Sequence, residues 1–465
     1  MATAPVKPTR DSVTTINDDG SRRFIHPANV AGRFTSARAI VGLLIMAVYV
    51  LLPWIPINGH PAVFLDVAHR QFHLFGFTFV TQDLWLAFFV ITGLGFSLFY
   101  ITALLGRIWC GWGCPQTVFL DIVRFIERRL EGDAPQRKRL DDMPWTGEKT
   151  LKRGTTLILT GLFAFLIAHV FLSYFVSLPK LYEMMRHSPR ENWAAFVFVF
   201  AVTGALWFDF TWFREQFCII MCPYGRIQSA LTDDDTMIIG YDEKRGEPRG
   251  KKGTAGAGDC IDCRRCVQVC PTGIDIRQGL QLECIGCAAC VDACDAVMEK
   301  IERPRGLVRY DSMNGLERKP KKIIRPRLIA YTFLLLLGAA VMSYSFSTFK
   351  PVTITLVRMT GSPYFLAGDE VRNQFFIRVL NKRNEPAAFR LEVPDPPPGL
   401  TVSGTESAIV VDALGEKLAP VVFTYPRSKM GAGHGEFPLR IRVISADGKI
   451  TLEKTATFLG PGHGM

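Results

Sequence analysis

Eight of the twelve cysteines in this 465-residue chain fall into two compact runs, Cys260-x2-Cys263-x2-Cys266-x3-Cys270-Pro271 and Cys284-x2-Cys287-x2-Cys290-x3-Cys294. Three closely spaced thiolates hold three irons of a cubane while the fourth cysteine of the run reaches the neighbouring cluster, as in two-cluster bacterial motifs. The spacing therefore predicts two [4Fe-4S] clusters. One rests on Cys260, Cys263, Cys266 and Cys294, the other on Cys284, Cys287, Cys290 and Cys270. Structural zinc takes four ligands, usually as two separated pairs, and eight cysteines in two runs do not suit it. Two details depart from the common pattern: Asp295 follows Cys294 in place of proline, and the connector from Cys270 to Cys284 is short. Neither alters the total of eight ligands.

The other four cysteines form a pair of C-x3-C-Pro motifs, Cys110-Gly-Trp-Gly-Cys114-Pro115 and Cys218-Ile-Ile-Met-Cys222-Pro223. Thiolates select Cu(I), zinc or iron-sulfur groups. Four converging on one face would hold copper or a further cluster; the plainer alternative is that they are small residues packed at helix ends. Met221 beside Cys222 adds a thioether, for copper or for packing. Only His169 lies well inside an apolar stretch, too few imidazoles for a haem held by two of them. His69 and His73 stand four apart, as on one helical face, and Asp209 has Arg214 as a natural ion-pair partner. No phosphate-binding glycine loop, Ser/His/Asp set or dinucleotide fingerprint is present, so nucleotide chemistry has no support.

What positions these residues is a membrane. A 48% apolar content and mean hydropathy of +0.17 coexist with 21% charged residues, and the apolar residues concentrate in windows of about twenty. Five spans are predicted, Ala37 to Ile57, Leu84 to Leu105, Thr155 to Ser177, Trp193 to Trp212 and Leu328 to Phe346. Lys and Arg number five in the arm before residue 37, ten in 106–154 and nineteen in 214–326, against one in 58–82 and three in 178–192. The positive-inside rule then puts the N-terminus and all twelve cysteines in the cytoplasm and the C-terminus outside. The net charge of +11 is largely explained by this topology, and without a basic run interleaved with aromatics it does not indicate nucleic acid.

Around the spans, residues 1–33 read as a disordered cytoplasmic arm and 34–213 as four spans with a cytoplasmic loop at 106–154. In that loop Thr117 to Leu130 is amphipathic and expected along the inner membrane surface, and 133–153 is a polar linker. Residues 214–326 form a ferredoxin-type domain with its motifs at 259–295, entered through the Gly-rich connector 242–258, and 327–347 the fifth span. Residues 349–465 alternate apolar and polar positions in seven short strands with no cysteine, which predicts an immunoglobulin-like β-sandwich. The fold class is mixed: a five-span helical bundle, a two-cluster domain and a C-terminal β-sandwich.

Taken together, RIWCGWGCPQTVF after a span, CIIMCPYGRIQ after a later one, the run CIDCRRCVQVCPTGIDIRQGLQLECIGCAACVDACD and a last span leading to a β domain resemble the cytochrome c oxidase accessory proteins of the CcoG (FixG/RdxA) family. The resemblance covers nearly all of the chain beyond the arm. It implies a bacterial inner-membrane polyferredoxin in cbb-type oxidase assembly, a cupric reductase making Cu(I) for the oxidase copper site. The implied partners are oxidase subunits or copper-delivery factors, and an unidentified cytoplasmic donor would supply the electrons. Two alternatives stand beside it: a relay between quinol or a cytoplasmic donor and a periplasmic reductase, and an assembly scaffold whose clusters are structural.

Overall fold

The computed structural model describes residues 15–16, 22–80, 83–348, 350–430 and 435–461. It divides into two compact units, Met1–Ile55 with Leu86–Met342, and Pro56–Trp85 with Ser343–Met465.

The first unit carries most of the apolar helices. Five among the described residues are long and apolar enough to cross a membrane: Arg33–Trp54, Trp85–Leu105, Gly147–Ser173, Trp193–Phe213 and Pro326–Ser347. Leu43, Phe88, Ile158 and Phe200 along them are exposed, as side chains that face lipid must be. The third begins eight residues before the expected Thr155. Thr146 caps it by accepting from Lys149 N, and the Lys149 ammonium bonds the Asp141 and Met143 carbonyls, so a polar turn precedes the apolar part.

Three expectations for polar segments are corrected. The amphipathic stretch forms the helix Pro115–Glu131, but its apolar face is not left for the membrane surface: Leu120 and Val123 pack with Ala164 of the third span and Phe210 of the fourth. The polar linker contains a second helix, Ala134–Asp142, whose Arg137 is buried against Glu127 at 2.6 Å. Arg214 pairs with the same Glu127 carboxylate. Burial works against the charge on Glu127, but Arg214 and then Arg137 outweigh it and hold the carboxyl below its usual range. Of the arm expected to be disordered, residues 1–14 and 17–21 lie outside the described residues, whereas 22–32 are tied down without forming a helix. Arg22 pairs with Glu215, and Ala28 N donates to Gln268 O at 2.8 Å.

The cysteine-rich segment is clasped by two antiparallel strands, Ile238–Tyr241 and Val308–Asp311, in register from Ile238 opposite Asp311 to Tyr241 opposite Val308. Between them the chain makes a core of Ile239, Tyr241, Ile276, Val291, Met298 and Leu307 in which Cys260 and Cys266 are buried.

In the second unit the C-terminal strands make two sheets. One orders Thr401–Ser403, Glu416–Pro426, Glu370–Asn381 and Val352–Arg358, with Phe365–Ala367 also on Glu370–Asn381; the other orders Ile409–Val411, Ala387–Glu392, Glu436–Ser445 and Thr451–Leu459. Alternate residues point inward, Val371, Ile377 and Phe423 from one sheet and Phe389, Ile441 and Phe458 from the other, all fully buried. All seven expected strands are present, with two three-residue strands added. The segment Pro56–Trp85 belongs to this unit as a meander of Val63–Asp66, Gln71–Leu74 and Phe77–Val80. Lys382 of the sandwich holds both carboxylate oxygens of Asp83 at 2.7 Å.

Candidate metal centres

The two cysteine runs fold as copies of one loop. Asp262 and Arg264, between the cysteines of the first run, have positive φ of 52° and 53°; Gly286 and Ala288, at the equivalent places of the second, have 68° and 61°. Every cysteine of the second run follows its counterpart by twenty-four residues. In both copies the second left-handed residue caps a helix, Arg264 before Arg265–Gln268 and Ala288 before Ala289–Lys300. A left-handed non-glycine residue costs about 1–2 kcal/mol, and its recurrence at Arg264 and Ala288 marks a conformation the two loops share.

The thiols group across the runs as well as within them. Cys294 is raised by burial and then by the charges of Cys266 and Cys260. Cys270 instead acts on Cys284, Cys287 and Cys290. Cys290 also feels Cys266, so the two groups adjoin. Burial pushes Cys266 up to about 11 and Cys284 and Cys294 up to about 12, with neighbouring thiolates adding to it. These groups cannot be anionic in a buried site unless a cation is enclosed with them. None of the twelve cysteines is in a disulfide. Among the described residues no three His, Cys, Asp or Glu side chains close around a single ion. Eight soft donors in two adjoining groups, needing positive charge among them, fit iron-sulfur groups.

The C-x3-C pairs are likewise built alike. Cys114 caps the helix Pro115–Glu131 and Cys222 caps Pro223–Leu231, each with proline in the first turn. Cys218 lies in a wide π-helical turn, Phe217–Met221, just beyond the fourth span. The four thiols lie near enough to act on one another electrostatically. Burial pushes Cys110 up to about 11 and Cys218 up to about 12; Cys114 and Cys222 add to both, and Cys110 itself raises Cys218. Gln228 Nε2 donates to Cys110 Sγ at 3.3 Å. This group leans on the second cysteine run. A Cβ on Gly111 would stand 2.7 Å from the Ile285 carbonyl oxygen and 2.8 Å from both Cα and N of Cys287, so only glycine fits that approach. Cys110 and Cys290 pack on one small core with Cys287.

Other candidates fare differently. His69 and His73 share no helical face: His69 bonds Asp66 at 2.7 Å, while His73 stands on a strand, stacked on His60 with ring centroids 3.9 Å apart. Burial and then the charge of His60 push His73 down to about 4. His169 bonds its own helix at Phe165 O, 2.9 Å away. Asp209 accepts from Gln116 at 2.7 Å and leaves the Arg214 guanidinium to Glu127. Met221 is exposed. Sequence reasoning passed over Gly111 and Gln228; the twenty-four-residue offset between the runs was a signal available for the repeated loop.

Three protein-family models match the chain: a 4Fe-4S dicluster domain over residues 213–313, a 4Fe-4S binding domain over 84–131, and the IG-like fold at the C-terminus of FixG over 342–461. With five apolar helices, these define a multi-pass membrane iron-sulfur protein of electron transfer. The chain is 35% identical to protein RdxA of Cereibacter sphaeroides over 92% of its own length and 94% of that protein's. It is 35% identical to RdxB of the same organism over 80% and 82%, and 38% identical to the nitrogen fixation protein FixG of Rhizobium meliloti over 63% and 58%. The chain belongs to the FixG/RdxA family.

Proposed function

We propose that this protein passes single electrons through two [4Fe-4S] clusters to Cu(II) at Cys110, Cys114, Cys218 and Cys222, making Cu(I) for the copper site of a cbb-type cytochrome oxidase. Cys260, Cys263, Cys266 and Cys294 hold one cluster; Cys284, Cys287, Cys290 and Cys270 hold the other. Bound there, each cluster supplies one-electron transfer, and the copper step balances as one electron gained by Cu(II) and one lost by a reduced cluster. The chain's own part is to keep the thiols within electrostatic reach of one another, with Cys260, Cys266 and Cys287 buried. Four crowded thiolates favour the softer Cu(I).

The observation that carries this reading is the seat of Gly111 on the Cys287 backbone, which joins the C-x3-C group to the second cysteine run without an intervening side chain. In the proposed topology the clusters face the cytoplasm of a bacterial inner membrane and the C-terminal sandwich is periplasmic, free to meet oxidase subunits or copper-delivery factors. The Lys and Arg of 106–154 and 214–326 support that orientation.

The test is a full-length variant with Ser at Cys110, Cys114, Cys218 and Cys222. It should keep the iron and sulfide of two clusters yet lose Cu(II) reduction after anaerobic reduction with dithionite. Normal reduction by that variant would defeat the copper reading. A second reading, a further cluster on the same four cysteines, is favoured by the match of residues 84–131 to a 4Fe-4S binding domain. In that case the variant loses about a third of its iron.

A further inference from the structure

Two cavities of the first unit adjoin. One, about 360 Å³, is lined by Arg38, Asp121, Arg124, Gly111, Pro271 and Ala289 among others. The other, about 520 Å³, is almost wholly apolar, walled by Tyr49, Phe119, Phe171 and Leu206 and reaching Pro115. Met46 and Val118 line both. The apolar cavity lies among the first, third and fourth spans, while the polar one opens where the first span meets the cysteine-rich region. Volumes of this size, apolar at one end and with a few convergent polar groups at the other, are those of a ligand site.

The polar end has two properties that select its occupant. Its lining includes immediate chain neighbours of three cysteines: Gly111 follows Cys110, Pro271 follows Cys270 and Ala289 precedes Cys290. It also mixes donors with an acceptor. Asp121, about half exposed, accepts from Arg38 at 2.7 Å and lies 3.7 Å from Arg124; those arginines also bond the Gly111 and Pro271 carbonyls at 2.7 and 3.3 Å. A phosphate head would meet the Asp121 carboxylate. A neutral head with two oxygens, able both to give and to accept hydrogen bonds, meets both kinds of partner.

We infer that the adjoining cavities together bind a lipid-soluble quinol, its ring beside Arg38 and Asp121 and its isoprenoid tail in the apolar chamber, as the electron donor. This rests on the two clusters proposed above. Oxidation of one quinol to quinone breaks two O–H bonds, releases two protons to water at the open end and sends one electron to each of two one-electron acceptors. Arg38 and Arg124 favour the more negative, reduced form of the nearby acceptor, which eases transfer from a mild donor.

The experiment uses the full chain, purified anaerobically in nanodiscs, with decylubiquinol as probe. The visible iron-sulfur absorbance should bleach at a rate that saturates with decylubiquinol. Met46→Phe, which adds bulk where the two cavities adjoin, should slow this at least tenfold while dithionite still bleaches the protein fully; Asp121→Asn, which leaves the volume unchanged, should slow it by about tenfold. Solvent extraction should recover quinone from the native chain and little from Met46→Phe. No bleaching by decylubiquinol, equal rates in the native and Met46→Phe proteins, or an extract holding stoichiometric phospholipid and no quinone would overturn the inference. Cu(II) reduction by dithionite-reduced protein is scored separately. If it persists while decylubiquinol fails, only the donor site falls; if decylubiquinol works and Cu(II) is untouched, only the copper reading falls.

Discussion

The carboxylate of Asp292 caps the first membrane helix at Thr35. Its Oδ2 accepts from both the backbone N and the Oγ1 of Thr35 at 2.7 Å, and Oδ1 accepts from Phe34 N at 3.2 Å. The residue before that helix, Gly32, offers no side-chain cap, and a Cβ there would stand 2.2 Å from Asp292 Cγ. Asp292 itself lies between Cys290 and Cys294, so the loop of the cysteine motif and the start of the span are fastened by one side chain.

Asp292→Ala should therefore cost about 1 kcal/mol, the usual worth of a helix cap, and Asp292→Asn less. Faster amide hydrogen exchange at Phe34 and Thr35 is the measurement. Unchanged exchange would show that the cap is idle.

Gly111→Ala should separate the C-x3-C group from the second cysteine run, because the Ile285 and Cys287 atoms it meets are backbone that has no rotamer to yield. Cu(II) reduction should fall at least tenfold with the iron content largely kept. Gly113→Ala should be milder, since its Cβ would meet the Trp109 ring, a side chain partly exposed and able to turn.

Lys382→Met should destabilise the second unit by about 3–5 kcal/mol, the scale for leaving one partner of a buried ion pair uncompensated. Asp83 is buried with its two oxygens on that ammonium. Replacing both partners, Lys382→Met with Asp83→Leu, should recover much of the loss in a thermal melt followed by near-ultraviolet dichroism.

Acid should loosen the same unit through His73. Its folded value is pushed down to about 4, whereas an unfolded histidine titrates near 6.5. Between those values the unfolded chain binds the extra proton, so the contribution of His73 is complete above about pH 6.5 and is lost as pH falls toward 4. His73→Gln should flatten the dependence of melting temperature on pH across that window.

The features legible in the sequence are those written in short-range spacing. Apolar runs of about twenty residues announced the five spans, and the cysteine repeats announced the loops. What escaped depends on distant partners. Thr117 to Leu130 carries a periodic apolar face, but periodicity does not say whether lipid or Ala164 and Phe210 cover it. Arg137 sits in a segment polar enough to read as solvated, and only the arrival of Glu127 makes its burial tolerable. His60 and His73 stack from strands of two different sheets, which no helical count along the chain can foresee. The segment 22–32 looked unable to fold by composition, and it does not fold alone; it is held by Glu215 and Gln268.

The duplicated loop carries a last consequence. Two copies with the same left-handed corners provide no internal arrow, so nothing in the loops themselves prefers one direction of flow. Polarity has to come from their unequal surroundings: Cys263 in the first copy is open to solvent, whereas Cys287 in the second is sealed beneath Gly111. The two copies thus differ in access: one presents a thiol at the surface and the other encloses it.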